Sequence, residues 1–217
     1  MPSPLPNSRF KLKLILLSGA SGTGKSTTAY ELCHRLRQHP RRTMHVHIDA
    51  DCLDAMYPRN DDAGLMLRAL EALWGVLWEE VWGRWVDHGA VRATGADDGE
   101  AGPVGGLGVA VLVISGTAVV LELQRIRDVV VSVCAGQMRG LEIEVLPVVL
   151  HAETVVVEER LRGRVLGEEL QEHLDSSREF RALLRDWTAP VGIEVRRVDS
   201  GRPLLDVVEE VLAVSGL

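Results

Sequence analysis

Eight consecutive residues, Gly19-Ala20-Ser21-Gly22-Thr23-Gly24-Lys25-Ser26, have the types and spacing to grip a chain of phosphates. Glycines let the backbone curl so that successive N–H groups turn inward on one anion. A helix opening at Lys25 adds the positive end of its dipole at the same point. The Lys25 ammonium is then placed to bridge the β- and γ-phosphates, and the Ser26 hydroxyl to ligate Mg²⁺. Thr27 and Thr28 follow within reach of the α-phosphate. The pattern is GxxxxGK[ST], which arises by chance in roughly 1% of chains this long. Here it also stands between a buried strand and a helix, the context the chemistry requires. ATP and Mg²⁺ are the implied ligands, and residues 19–27 their expected contacts.

A second group of interest is His47-Ile48-Asp49-Ala50-Asp51-Cys52-Leu53, which puts two acids at the end of the next strand. Ligands of open α/β sheets bind outside such carboxyl ends. A carboxylate there can orient an acceptor hydroxyl and take its proton during phosphoryl transfer. On an extended segment, residues i and i+2 point the same way. One of Asp49 and Asp51 is therefore expected to face the acceptor, and the other to hold a water on Mg²⁺. The plainer alternative makes both acids caps of the following helix.

The loop alone does not decide the fate of the γ-phosphate. A GTPase needs an NKxD motif to read its base, and the lysines are Lys11, Lys13 and Lys25 only. With no lysine after the loop, that reading fails. Motor ATPases carry an acid at the end of a further apolar strand, whereas Ala110-Val111-Leu112-Val113-Ile114-Ser115 ends in serine. A kinase of small molecules survives both tests.

GASGTGKST at residues 19–27 and HIDADCLDAMYP at 47–58 together resemble a known group of kinases. It includes adenylylsulfate kinase, gluconate kinase and chloramphenicol phosphotransferase. These carry a D-G-D or V-D-S-L segment after the second strand, whose aspartate is the acceptor-side base. The resemblance implies that role for Asp51, with Asp49 as accessory acid. Met56 and Pro58 match the M-P of the phosphotransferase, and Ser115 matches a serine of the gluconate and adenylylsulfate kinases. It is specific over residues 14–58 and architectural beyond them. The implied activity is transfer of the ATP γ-phosphate to a hydroxyl of a small-molecule acceptor. Two alternatives stay open: a nucleotide-binding regulatory protein with weak or no ATPase activity, and a kinase of nucleic-acid 5′-hydroxyls.

Kinases of this architecture close an arginine-bearing lid over the triphosphate. Glu158-Glu159-Arg160-Leu161-Arg162-Gly163-Arg164 is the candidate, within a lid near residues 160–170. Arg160 and Arg164 are spaced i, i+4; Arg164, where the helix breaks, is the expected catalytic arginine and Arg160 a nucleotide contact. A solvated helix face with Glu–Arg pairs is the alternative. Arg125 and Arg127 follow the Ser115 strand and could hold an acceptor anion or form surface pairs. His173 lies in a polar helix and reads as exposed. Trp74, Trp78, Trp82 and Trp85 share one helical face, as core packing or as a wall for a flat acceptor.

Positioning these groups requires alternating strands and helices. Strands are expected at residues 11–18, 44–48, 109–115, 143–150 and 193–198. Helices are expected at 25–38, 65–88, 121–139, 154–187 with a break near 163–167, and 203–214. Such alternation implies one α/β domain over residues 1–217, about five parallel strands with helices on both faces. Residues 91–108, rich in glycine and poor in large apolar groups, are expected to form a mobile loop. The net charge is −7 and the pI about 5.5, which disfavours a partner bound through a broad basic surface, nucleic acid above all. Cys33, Cys52 and Cys134 form no CxxC pair, and the N-terminal run lacks the apolar core of a signal peptide. A cytoplasmic location without membrane attachment is expected; oligomeric state leaves no trace in the sequence.

Overall fold

The computed structural model describes residues 11–38, 43–53, 64–94, 109–135, 141–165, 167 and 169–217. Five parallel strands form one sheet: β1 (Lys11–Ser18), β2 (Met44–Asp49), β3 (Val109–Gly116), β4 (Glu142–His151) and β5 (Arg196–Asp199), in the order β2-β3-β1-β4-β5. Between them run α1 (Lys25–Gln38), α2 (Leu65–Thr94), α3 (Leu123–Ala135), α4 (Thr154–Arg164), α5 (Glu169–Asp186) and α6 (Leu204–Ser215).

The central strands are apolar on both faces because both faces are covered. Leu12, Leu14 and Leu16 of β1 join Ala110, Leu112 and Ile114 of β3 under α2 and α3. Ile15 and Leu17, with Val111 and Val113, face α1 and α6 through Ala29, Leu32, Val207 and Val211. A third, smaller cluster of Ala152, Val157, Leu161 and Leu174 joins α4 to α5. Most described boundaries shift by no more than two residues, and two move further. Residues 91–94 continue α2, so the glycine-rich segment does not begin at 91; residues 95–108 lie outside those described. The last strand starts at Arg196 rather than 193.

Trp74 and Trp78 settle as core: both are almost fully buried, with ring centroids 5.3 Å apart. The side chains of Trp82 and Trp85 lie outside those described. The lysines divide by end of the sheet. Lys11 pairs with Glu142 and Glu144, and Lys13 donates to the Ser215 carbonyl at the C-terminus of α6, both at the amino edge. Lys25 stands alone at the opposite edge. Truncating Trp74 to alanine should cost about 3–5 kcal/mol of unfolding free energy. A urea titration checks this: the midpoint falls while the slope stays unchanged.

Candidate functional site

The carboxyl ends of β1, β3 and the edge strand β2 are level, with Ser18 beside Gly116 and Asp49 beside Ser115. The loop after β1 leaves from the middle of this edge. A Cβ on Gly19 would stand 2.5 Å from Thr23 Oγ1 and 2.8 Å from the Leu150 carbonyl oxygen, so only glycine fits. Thr23 closes the turn from within: its N–H and hydroxyl both donate to the Ala20 carbonyl, at 3.2 and 2.8 Å. Lys25 Nζ lies 3.4 Å from that same oxygen. Burial pushes the Lys25 pKa below its ordinary value, against the pull of Asp51 at 3.5 Å.

The two carboxylates reach the loop by different routes. Residues Ala50–Cys52 form a 3₁₀ turn, so the segment is not extended and the acids do not point the same way. Asp49 caps that turn, Oδ1 accepting the Asp51 N–H at 3.2 Å, while Oδ2 accepts the Ser26 hydroxyl at 2.8 Å. The capping alternative thus holds for Asp49 without removing it from the loop. Among the described residues Asp51 caps nothing. Its Oδ1 accepts the Thr117 N–H at 2.7 Å, and its Oδ2 the Thr117 hydroxyl at 3.0 Å. Thr117 follows β3 directly, and its carbonyl accepts the Ser18 hydroxyl at 2.8 Å, so the β3 end is tied to the loop as well.

The Ser26 hydroxyl and Asp49 carboxylate form an all-oxygen pair at an exposed edge, which suits a small hard cation such as Mg²⁺. Among the described residues no group of three or more His, Cys, Asp or Glu gathers, so phosphate and water oxygens would complete its shell. At the end of β3, where motor ATPases carry an acid, the buried Ser115 hydroxyl lies 2.9 Å from His47 Nε2. Burial lowers the His47 pKa, with Asp49 opposing.

Beside the loop opens a cleft of about 310 Å³ whose floor is Gly22, Thr23, Gly24 and Thr27. Arg160 and Arg164 of α4 both line it, as their i, i+4 spacing predicts, but each is anchored separately. Arg164 donates to Ser21 Oγ at 3.1 Å, and Arg160 to the Ser200 carbonyl at 2.9 Å. The far wall, Ser200, Arg202 and Leu204, belongs to the turn between β5 and α6, and sequence reasoning missed it. Ser200 is held rigidly, its N–H and hydroxyl donating to the His151 carbonyl at 2.7 and 3.0 Å. The one usable signal was position: a polar turn at the carboxyl end of the last strand.

Other expected residues fall elsewhere. Arg125 is exposed and pairs with Glu122 at 3.0 Å, and Arg127 is exposed on the same helix. His173 is half-buried on α5 rather than exposed. Met56 and Pro58 lie outside the described residues. All three cysteines are free, and burial pushes the Cys33 and Cys134 thiols up to about 11. No helix among the described residues is long and apolar enough to cross a membrane.

No protein-family model matches the chain, and no curated protein matches it. Solved structures do. A gluconokinase from Sinorhizobium meliloti 1021 superposes with a TM-score of 0.50 at 19% identity, over 97% of this chain and 94% of its own. The fold is that of the P-loop small-molecule kinases. A Deinococcus radiodurans tunicamycin resistance protein (TM-score 0.47, 18% identity, 94% and 96% covered) is also similar. So is a Mycobacterium tuberculosis APS kinase solved with AMPPNP and APS (TM-score 0.47, 16%, 96% and 99%). Within this P-loop kinase fold, Lys25 is the one lysine at the phosphate loop. Lys25→Ala should weaken nucleotide binding by roughly 10- to 100-fold, the value of one charge-assisted hydrogen bond or two. Titration calorimetry with Mg·ATP measures it.

Proposed function

We propose that the chain transfers the γ-phosphate of ATP to a hydroxyl of a small-molecule acceptor. The support lies in how the two acids divide the loop: Asp49 holds the Ser26 hydroxyl, and Asp51 lies beside the Lys25 ammonium. One carboxylate thus stands at the metal side of the phosphates and the other at the transfer side.

The roles follow from position. The loop backbone and Lys25 bind the β- and γ-phosphates. Ser26 and Asp49 would hold Mg²⁺, which neutralises phosphate charge when bound. Arg164, anchored on the loop itself, is the lid cation for the transferring group, and Arg160 closes the cleft over the nucleoside. Asp51 orients the acceptor hydroxyl and accepts its proton as the new P–O bond forms. Thr117 fixes that carboxylate from behind with two hydrogen bonds, leaving the side chain 45% exposed toward an incoming group. A half-exposed acid that caps no helix among the described residues favours transfer over a purely regulatory nucleotide site.

Asp51→Asn should keep Mg·ATP affinity within about twofold while lowering transfer by at least ~10²-fold, the usual value of a positioned acid or base. The assay is ADP release from Mg·ATP with nucleosides, sugar acids, adenylylsulfate, amino alcohols, hydroxylated antibiotics and a 5′-hydroxyl oligonucleotide. Acceptor-dependent release that survives Asp51→Asn would remove the residue from this role. Slow release indifferent to every acceptor would replace transfer by the regulatory reading.

A further inference from the structure

A phosphate loop works by aiming N–H groups at an anion, and the opposite face of each aimed peptide is a carbonyl. The trans peptide is planar, so its C=O and N–H point in opposite directions. Whatever holds the carbonyl on the outside of the loop therefore sets the direction of the next N–H. Buried carbonyls also require donors of their own. Two of the outward carbonyls here find side-chain hydroxyls. Ala20 accepts from Thr23 within the loop, at 2.8 Å. Ser21 accepts from Ser177 of α5, at 2.9 Å, across 156 residues of sequence.

Ser177 is unusual for its surroundings. It lies in the polar run Glu172-His173-Leu174-Asp175-Ser176-Ser177-Arg178, yet only 2% of it is exposed, less than the 5% of Leu174 one turn before. Its hydroxyl is turned to the loop. The peptide it holds joins Ser21 to Gly22, whose φ is +86°. Glycine tolerates rotation of the flanking peptides that other residues resist, so this link is free to turn unless something holds it. Gly22 also lines the cleft, and a Cβ there would meet Val157 Cγ1 at 3.0 Å and Leu161 Cγ at 3.1 Å. Space forces glycine at this position, and the resulting looseness needs an external restraint.

We propose that Ser177 is a positioning residue for nucleotide binding: its hydroxyl anchors the Ser21 carbonyl and so aims the Gly22 N–H at the phosphates. The α4–α5 hairpin then does two tasks, carrying Arg164 above the loop and holding the Ser21–Gly22 peptide from behind. Because Arg164 donates to the hydroxyl of the same Ser21, both tasks meet at one residue. The inference rests on the nucleotide-binding reading of the loop, and the test separates the two.

Mg·ATP affinity is measured by calorimetry for the unaltered chain, Ser177→Ala, Ser177→Thr and the exposed neighbour Ser176→Ala, with circular dichroism and melting for each. The expected result is a Kd about tenfold weaker for Ser177→Ala, one buried hydrogen bond's worth, with native dichroism at the temperature of measurement. Ser177→Thr, which keeps the hydroxyl, restores most of the affinity, and Ser176→Ala matches the unaltered chain. The ¹⁵N–¹H resonance of Gly22 should move in Ser177→Ala and return in Ser177→Thr. If Ser177→Ala does not fold, Ser177→Cys, of similar size and weaker donor strength, takes its place in the comparison. Unchanged affinity in a folded Ser177→Ala with a shifted melting point would make the hydrogen bond merely structural and overturn the proposal. Failure of the unaltered chain to bind Mg·ATP would instead overturn the nucleotide reading, and the proposal with it.

Discussion

The arrangement of this site depends on one buried cation. Lys25 is only 7% exposed, and an ammonium so far from water must find oxygen. The Ala20 carbonyl and the Asp51 carboxylate supply it. The first requires the loop to turn back within five residues, which Gly19 and Thr23 make possible. The second requires β2 to end beside β1's edge, one strand removed, and then to break into a 3₁₀ turn that swings Asp51 inward. Thr117 at the end of β3 completes the hold. Three strand ends are thus locked to one charge.

The second constraint is packing between the loop and the α4–α5 hairpin. The sheet has two large cores of its own, and the hairpin a small separate one around Val157, Leu161 and Leu174. Contact between these units runs over Ser21 and Gly22, where Gly22 has no room for a Cβ, and through Leu184 of α5, which enters the larger sheet core. The cleft is the gap left beside that contact. Its walls come from the loop, the hairpin and the β5–α6 turn, and Arg160 bridges the last two through Ser200.

Similarity to a gluconokinase at 19% identity shows how much of such a protein is architecture. The strand order, level strand ends and glycine loop set where phosphates can sit. They leave open what binds beside the loop, because recognition depends on side chains that the sheet does not constrain. At the end of β3 the Ser115 hydroxyl lies beside His47 of the neighbouring strand, a contact between side chains 68 residues apart.

The sequence by itself determined whatever is encoded by neighbours along the chain. The phosphate loop is eight contiguous residues, the buried strands are apolar runs, and α1 follows from a lysine–serine start and a proline stop; all are local. Asp49 and Asp51 were legible as an acidic pair, but not their divergence, because an aspartate that caps its own turn competes with extended geometry. The remainder was decided by contacts between residues far apart in the chain. Thr117 meets Asp51 across 66 residues, Arg164 and Ser177 meet Ser21 across 143 and 156, and Arg160 meets the Ser200 turn across 40. Threonine and serine at those positions carry no spacing that marks them. Only the folding of a hairpin and a last crossover onto the sheet's carboxyl edge gives their hydroxyls something to hold.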